Sequence, residues 1–307
     1  MSITDANPFW SVMIPTYNPR QDYLEKAIRS VLEQDPGPER MQIEVVDDCS
    51  TKVDVASMVN GIAGERVGYF QNPTNLGLAG CWNACIVRAK GVWVHILHQD
   101  DEVMPGFYER LKQAAVAYPE ATLIATRAFV VNGQGIIDFV TPRHPRLERF
   151  GHEVVDLFYG APFQCPGVVV RREFYEAHGG FRTDLCYTLD CEMWARAISL
   201  GGGILLPDVL AVYRTSEGNE SERMLRSAEA WEDTARLSKI FAEQYPEFDI
   251  ESVSQHISRQ ALAHAEGFAR KGDREAAQAN LRYWQKHTPL SRRFRRAVSI
   301  SLRRLLG

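Results

Sequence analysis

Val92-Trp93-Val94-His95-Ile96-Leu97-His98-Gln99-Asp100-Asp101 runs from an unbroken apolar segment into two carboxylates. Six residues with so little alternation read as a strand covered on both faces, the pattern of a parallel sheet flanked by helices. The same shape recurs upstream. Ile43 to Val46 ends in Asp47-Asp48-Cys49-Ser50, Ser11 to Ile14 ends in the turn Pro15-Thr16-Tyr17-Asn18-Pro19, and Val67 to Phe70 supplies a further short strand. Between them, Tyr23, Leu24, Ala27, Ile28, Val31 and Leu32 recur at helical spacing, and a second helical segment with a glycine-rich start runs from Leu76 to Lys90. Strands alternating with helices predict βαβ units and an α/β fold with a mostly parallel sheet. Two of those strands deliver acids at their C-terminal ends, where open α/β sheets hold their ligands.

Downstream the pattern is mixed. Ala121 to Val131 and Ile136 to Val140 read as a hairpin about Asn132-Gly133, followed by a loop rich in Pro, Arg and His from Thr141 to Arg149. Val168 to Arg171 and Val209 to Arg214 read as strands, Gly179-Gly180-Phe181 as a turn and Asp190 to Leu200 as a helix. Beyond it the pattern is helical, with helices expected at Ser221 to Tyr245, Ser252 to Arg270 and Asp273 to His287. This sets an α/β domain over residues 1–220 and a helical extension over 221–307. Ala261 to Pro289 has the outline of one tetratricopeptide hairpin. A helical hairpin packed on a core fits it equally, since one such repeat does not stand alone.

With 307 residues, 45% of them hydrophobic and 24% charged, the chain has the balance of a globular protein rather than a disordered one. A net charge of -4 argues against a general nucleic-acid binder, and no nucleic acid is expected as partner. The charge is unevenly spread. Six arginines and no acid lie in Ser291 to Gly307, so removing that tail from the net -4 leaves -10 on the rest. No run approaches the ~18 uninterrupted apolar residues of a membrane span. Met1 to Trp10 lacks the basic and apolar regions of a signal peptide, which makes a cytoplasmic location the expectation. The six cysteines read as reduced thiols, and neither Cys81/Cys85 nor Cys186/Cys191 has the spacing of a zinc site.

Adjacent carboxylates at a strand end, Asp100-Asp101, offer hard oxygen ligands suited to Mg2+ or Mn2+, and they equally suit a solvated turn. Asp47-Asp48 would neighbour them along one sheet edge, where a carboxylate can accept the imide N–H of a uracil or thymine ring with Tyr17 stacked on it. Taken singly, Tyr17 and Asp47 also read as turn residues. Asp190 precedes the helical pattern of Met193, Trp194, Ala197 and Ile198, a position that also suits a helix cap.

Taken in order, Ser11 to Asn18, Glu44-Val45-Val46-Asp47-Asp48-Cys49-Ser50, Asn75-Leu76-Gly77-Leu78-Ala79 through Asn83, and Leu97 to Asp101 resemble the signature of family-2 inverting glycosyltransferases, enzymes of the GT-A fold. Gly179-Gly180-Phe181 and Leu189-Asp190-Cys191-Glu192-Met193-Trp194-Ala195-Arg196 carry the resemblance to about residue 220. It implies a nucleotide-sugar donor, usually linked through UDP or dTDP, with the base held by Pro15, Thr16, Tyr17, Asn18 and Asp48 and with Asn83, Asp100 and Arg214 also at the nucleotide. Asp100 and Asp101 match the motif that touches the ribose and coordinates a divalent metal, Mn2+ or Mg2+, on the diphosphate; the two roles stay unpartitioned. Asp190 matches the catalytic base, which takes the proton from the acceptor hydroxyl as it attacks the anomeric carbon. The implied acceptor is a saccharide or a lipid-linked hydroxyl, and the setting is assembly of cell-surface polysaccharide such as O-antigen, capsule or exopolysaccharide.

The chain departs from that pattern at three positions: His98 stands where an Asp is often found, Trp82 where an Arg is often found, and Ser216 where a His is often found. Tyr213-Arg214 match the loop that closes over the diphosphate, and Arg214 reads either as a phosphate partner or as half of a structural salt bridge. In the tail, helical winding would put Phe294, Val298, Leu302 and Leu305 on one face and Arg292, Arg296 and Arg303 on the opposite one. That arrangement suits peripheral contact with anionic lipid at the inner face of the cytoplasmic membrane, or docking on the protein's own body. A sugar-phosphate nucleotidyltransferase or a nicotinamide oxidoreductase would need a glycine-rich loop after the first strand, and Pro15 to Arg20 contains no glycine. A non-catalytic nucleotide-sugar-binding or scaffold protein using the C-terminal helices is the alternative from another class; it would bind donor without transferring sugar.

Overall fold

A computed structural model describes residues 7–143, 163–215 and 219–289. Ser216, the loop beyond residue 143 and the basic tail lie outside the described residues. The chain divides into two compact units, Met1–Asp184 with Leu189–Ser216, and Leu185–Thr188 with Glu217–Gly307.

The first unit opens with β1 (Trp10–Thr16), α1 (Gln21–Leu32), β2 (Met41–Asp47), α2 (Val55–Ala63), β3 (Gly68–Gln71), α3 (Gly77–Arg88) and β4 (Trp93–Ile96). It continues through β5 (Glu102–Val103), α4 (Phe107–Ala117), β6 (Leu123–Asn132), β7 (Ile137–Val140), β8 (Val168–Arg171), α5 (Arg172–His178), α6 (Leu189–Gly201) and β9 (Gly203–Thr215). One sheet holds all nine strands in the order β3-β2-β1-β4-β8-β6-β9-β5, with β7 paired to β6. The first four strands are parallel to their neighbours, and β4 then meets β8 antiparallel. The mostly parallel sheet thus describes the first hundred residues, while the later part is mixed. There, the short Asn132–Gly135 turn joins β6 to β7, and a link that short permits only antiparallel pairing.

Apolar side chains on β1 and β2 explain why the strands read as continuous runs. Val12, Ile14, Ile43 and Val45 share a core with Leu24, Ile28 and Val31 of α1 and with Val55 and Val59 of α2. His95, inside β4, is fully buried between the Tyr108 hydroxyl and the Pro166 carbonyl, each 3.0 Å away. Burial drives its pKa down to about 3, so it is an uncharged core histidine.

Three helices, the two-residue strand β5 and part of β9 have no counterpart in the sequence pattern. α2, α4 and α5 are short, and β9 begins six residues before the expected Val209. Pro207 interrupts the strand pattern in the sequence. The sheet accommodates it at an irregularity, where pairing steps from Ala125↔Leu205 to Arg127↔Val209.

The second unit contains α7 (Glu220–Ser227), α8 (Glu229–Gln244), α9 (Ile250–Arg270) and α10 (Arg274–His287). The single helix expected from Ser221 to Tyr245 is in fact two, because Ala228 adopts a left-handed φ of 66° that ends the first and opens the second. Among the described residues, no helix is long and apolar enough to cross a membrane.

Candidate active site

The strand order creates the site. After β1 the chain adds β2 and β3 on one side and then returns to place β4 on the other, so the loops leaving β1 diverge at a topological switch point. The Pro15–Asn18 turn lies in that gap and is bonded to both neighbours. The Tyr17 N–H donates to Gln99 Oε1 at 2.9 Å. On the other flank the Asn18 N–H donates to Ser50 Oγ at 2.7 Å, while Asn18 Oδ1 accepts from the amides of Thr51 and Lys52. Asn18 has a φ of 45°, a conformation that Asn tolerates better than most residues. Pro15 and Thr16 are buried beneath the turn, and the Tyr17 ring is 47% exposed.

The loop after β4 closes a turn in which the Asp101 N–H donates to the His98 carbonyl. It gathers His98, Asp100 and Asp101 so that one donor atom from each lies within 4.8 Å of the others. Asp101 is 1% exposed; its Oδ1 accepts the Arg214 N–H at 2.8 Å, and its Oδ2 makes no hydrogen bond. A buried carboxylate oxygen without a hydrogen bond, 3.3 Å from His98 Nδ1 and beside a second carboxylate, fits a divalent cation. Burial, and secondarily the charge of Asp101, push the Asp100 pKa up to about 6. For His98, burial opposes the charged form, but Cys165 and Asp101 outweigh it and the pKa rises.

Asp190 lies in the first turn of α6, after Leu189, with its Oδ1 accepting the Cys191 N–H at 2.7 Å. The buried thiol of Cys165, pushed up mainly by burial, feels the charges of both Asp190 and Asp101, which ties the start of α6 electrostatically to the acidic loop. The Gly179–Phe181 turn is held from two sides. Arg196 donates to the carbonyls of His178, Gly179 and Gly180, and its guanidinium pairs with buried Glu192.

Three of the residues expected at the nucleotide also bond within the protein. Asp48 is buried, and its carboxylate accepts from Asn72 Nδ2 and from the amides of Leu76 and Gly77, so it caps the start of α3. Asn83 spends its carboxamide on the backbone of Phe181. Arg214, 3% exposed, forms a salt bridge with Glu102, donates to the Asp100 carbonyl and lies over the Tyr23 ring. Gln99, Ser50 and Glu102 are the residues that sequence reasoning missed, since each acts on a partner remote in sequence.

The family model described as Glycosyl transferase family 2 matches residues 11–179, more than half of the chain. The chain belongs to glycosyl transferase family 2. Among family relatives, it is 28% identical over 248 residues to the uncharacterized protein MT1568 of Mycobacterium tuberculosis, covering 77% of this chain and 76% of that one. A narrower likeness is to the putative colanic acid biosynthesis glycosyl transferase WcaA of Escherichia coli K12. The two are 35% identical over 100 residues, which is 32% of this chain and only 35% of WcaA. In structure, this family-2 glycosyltransferase is similar to S. aureus TarS 1-349, solved in complex with UDP-GlcNAc, with a TM-score of 0.60 at 20% identity over 91% of this chain and 81% of that one. At that identity the likeness shows the fold, a GT-A glycosyltransferase fold with C-terminal helices.

Proposed function

We propose that the chain is an inverting, metal-dependent glycosyltransferase. It moves a sugar from a UDP- or dTDP-sugar to a saccharide or lipid-linked hydroxyl in cell-surface polysaccharide assembly. The observation that carries this reading is the Pro15–Asn18 turn, bonded on one flank to Gln99 beside the acidic pair and on the other to Ser50–Lys52. That turn gives a base a platform next to ligands for its diphosphate. Supporting it are the UDP-GlcNAc complex of TarS and the colanic acid assignment of WcaA.

In this reading the exposed Tyr17 ring stacks on the base, and Asp48 acts indirectly, by fixing the Asn72–Gly77 loop. Asp100 and Asp101 would hold Mn2+ or Mg2+, which stabilises negative charge on the leaving diphosphate. Asp190 accepts the proton of the acceptor hydroxyl as that oxygen attacks the anomeric carbon from the face opposite the nucleotide. The C–O bond to the diphosphate breaks, its electron pair leaves with the nucleotide, and the anomeric centre inverts. The protein is placed at the cytoplasmic membrane face by its arginine-rich tail.

Thermal-shift measurements with UDP- and dTDP-sugars, in Mn2+, Mg2+ or chelator, test the donor and metal together. A ligand at a hundredfold excess over its dissociation constant stabilises by about 2.7 kcal/mol. The expected result is a shift that appears with metal and vanishes with chelator. No metal-dependent shift with any nucleotide sugar contradicts the proposal.

A further inference from the structure

We infer that His98 is itself a ligand of the divalent cation, sharing it with Asp101, and that Trp82 positions the imidazole for that role. This inference rests on the metal-dependent reading above and adds a nitrogen donor to it. The turn from His98 to Asp101 brings the two side chains together, because its ends are bonded backbone to backbone. His98 Nδ1 and Asp101 Oδ2 are 3.3 Å apart, yet buried Oδ2 accepts no hydrogen bond. The contact is an ion pair when the imidazole is protonated, and a divalent cation bound between the two atoms would take the place of that proton. Two ligands at right angles on a cation, each about 2.1 Å from it, stand about 3 Å apart. The observed spacing is that of two donors converging on a common point, and Asp100 offers a third within the same group.

The ring is also held for the task. Trp82 is buried and stacks on His98 with centroids 4.8 Å apart and planes at 28°, while Phe181 meets Trp82 edge-on at 4.9 Å. Two of the three positions at which this chain departs from the family pattern are therefore in face-to-face contact. Imidazole in place of a carboxylate lowers the negative charge of the site and moves its preference away from Mg2+, which favours oxygen donors, toward Mn2+ and later ions.

Pulsed electron paramagnetic resonance on the full chain loaded with Mn2+ in the presence of UDP tests this without measuring activity. The expected spectrum shows nitrogen hyperfine coupling from a directly bound imidazole, altered when the histidines carry the heavy nitrogen isotope and absent in His98→Asp. That variant should still bind Mn2+, with its Mn2+-over-Mg2+ affinity ratio lowered by about tenfold. Mn2+ bound in an Asp101-dependent way but without nitrogen coupling in the unaltered protein overturns the role of His98 and leaves the metal reading standing. Failure to bind Mn2+ in any way sensitive to Asp101→Asn overturns both. The unaltered protein's spectrum decides the question even if a variant misfolds.

Discussion

Asn83 gives both halves of its carboxamide to one residue: Nδ2 donates to the Phe181 carbonyl at 2.9 Å, and Oδ1 accepts the Phe181 N–H at 2.7 Å. The pair spans 98 positions and locks α3 to the Gly179–Phe181 turn. Gly180 is required beside it, since a Cβ there would lie 2.1 Å from Asn83 Oδ1.

This geometry predicts a coupled pair. Asn83→Ala should cost about 2 kcal/mol in urea unfolding, because the two Phe181 backbone groups lose their partner. Gly180→Ala should cost about 1–3 kcal/mol in the unaltered protein and much less in the Asn83→Ala background. Additive costs would show that the glycine is needed for another reason.

In the helical unit, Asp233 is 2% exposed and accepts from the amides of Cys186, Tyr187 and Thr188 and from Thr188 Oγ1. An amide nitrogen in place of either oxygen would face donors. Asp233→Asn should therefore lower unfolding stability by about 2–4 kcal/mol, read from the denaturant midpoint at unchanged slope.

The charge asymmetry makes a prediction about the tail. Deleting residues 291–307 removes six arginines. Binding to vesicles containing anionic lipid should weaken, by about 1 kcal/mol per arginine engaged, while the thermal shift with a soluble nucleotide sugar stays the same. Unchanged vesicle binding would return the arginines to a solvated role.

Much of the frame is legible in one dimension because it is local. β1, β2 and β4 lie in runs buried by helices, so Ser11–Ile14, Ile43–Val46 and Val92–Leu97 announce themselves without partners, and the acids that follow the last two mark the sheet edge. What escapes is whatever depends on residues far apart in the chain. The Glu102 partner of Arg214, 112 positions away, and the start of α3 on the Asp48 carboxylate are contacts that no local pattern announces. Ala228 carries no sequence sign of its left-handed φ, so the break between α7 and α8 is invisible.

We propose that Asp190 is the base of a sugar transfer. It is tested most directly with Asp190→Asn, by following release of nucleoside diphosphate and growth of a saccharide or lipid-linked acceptor from a panel of UDP- and dTDP-sugars. Donor binding by thermal shift should be kept while the transfer rate falls by about a hundredfold or more, the range general-base catalysis supplies. Full transfer by Asp190→Asn, with donor binding unchanged, would contradict the account.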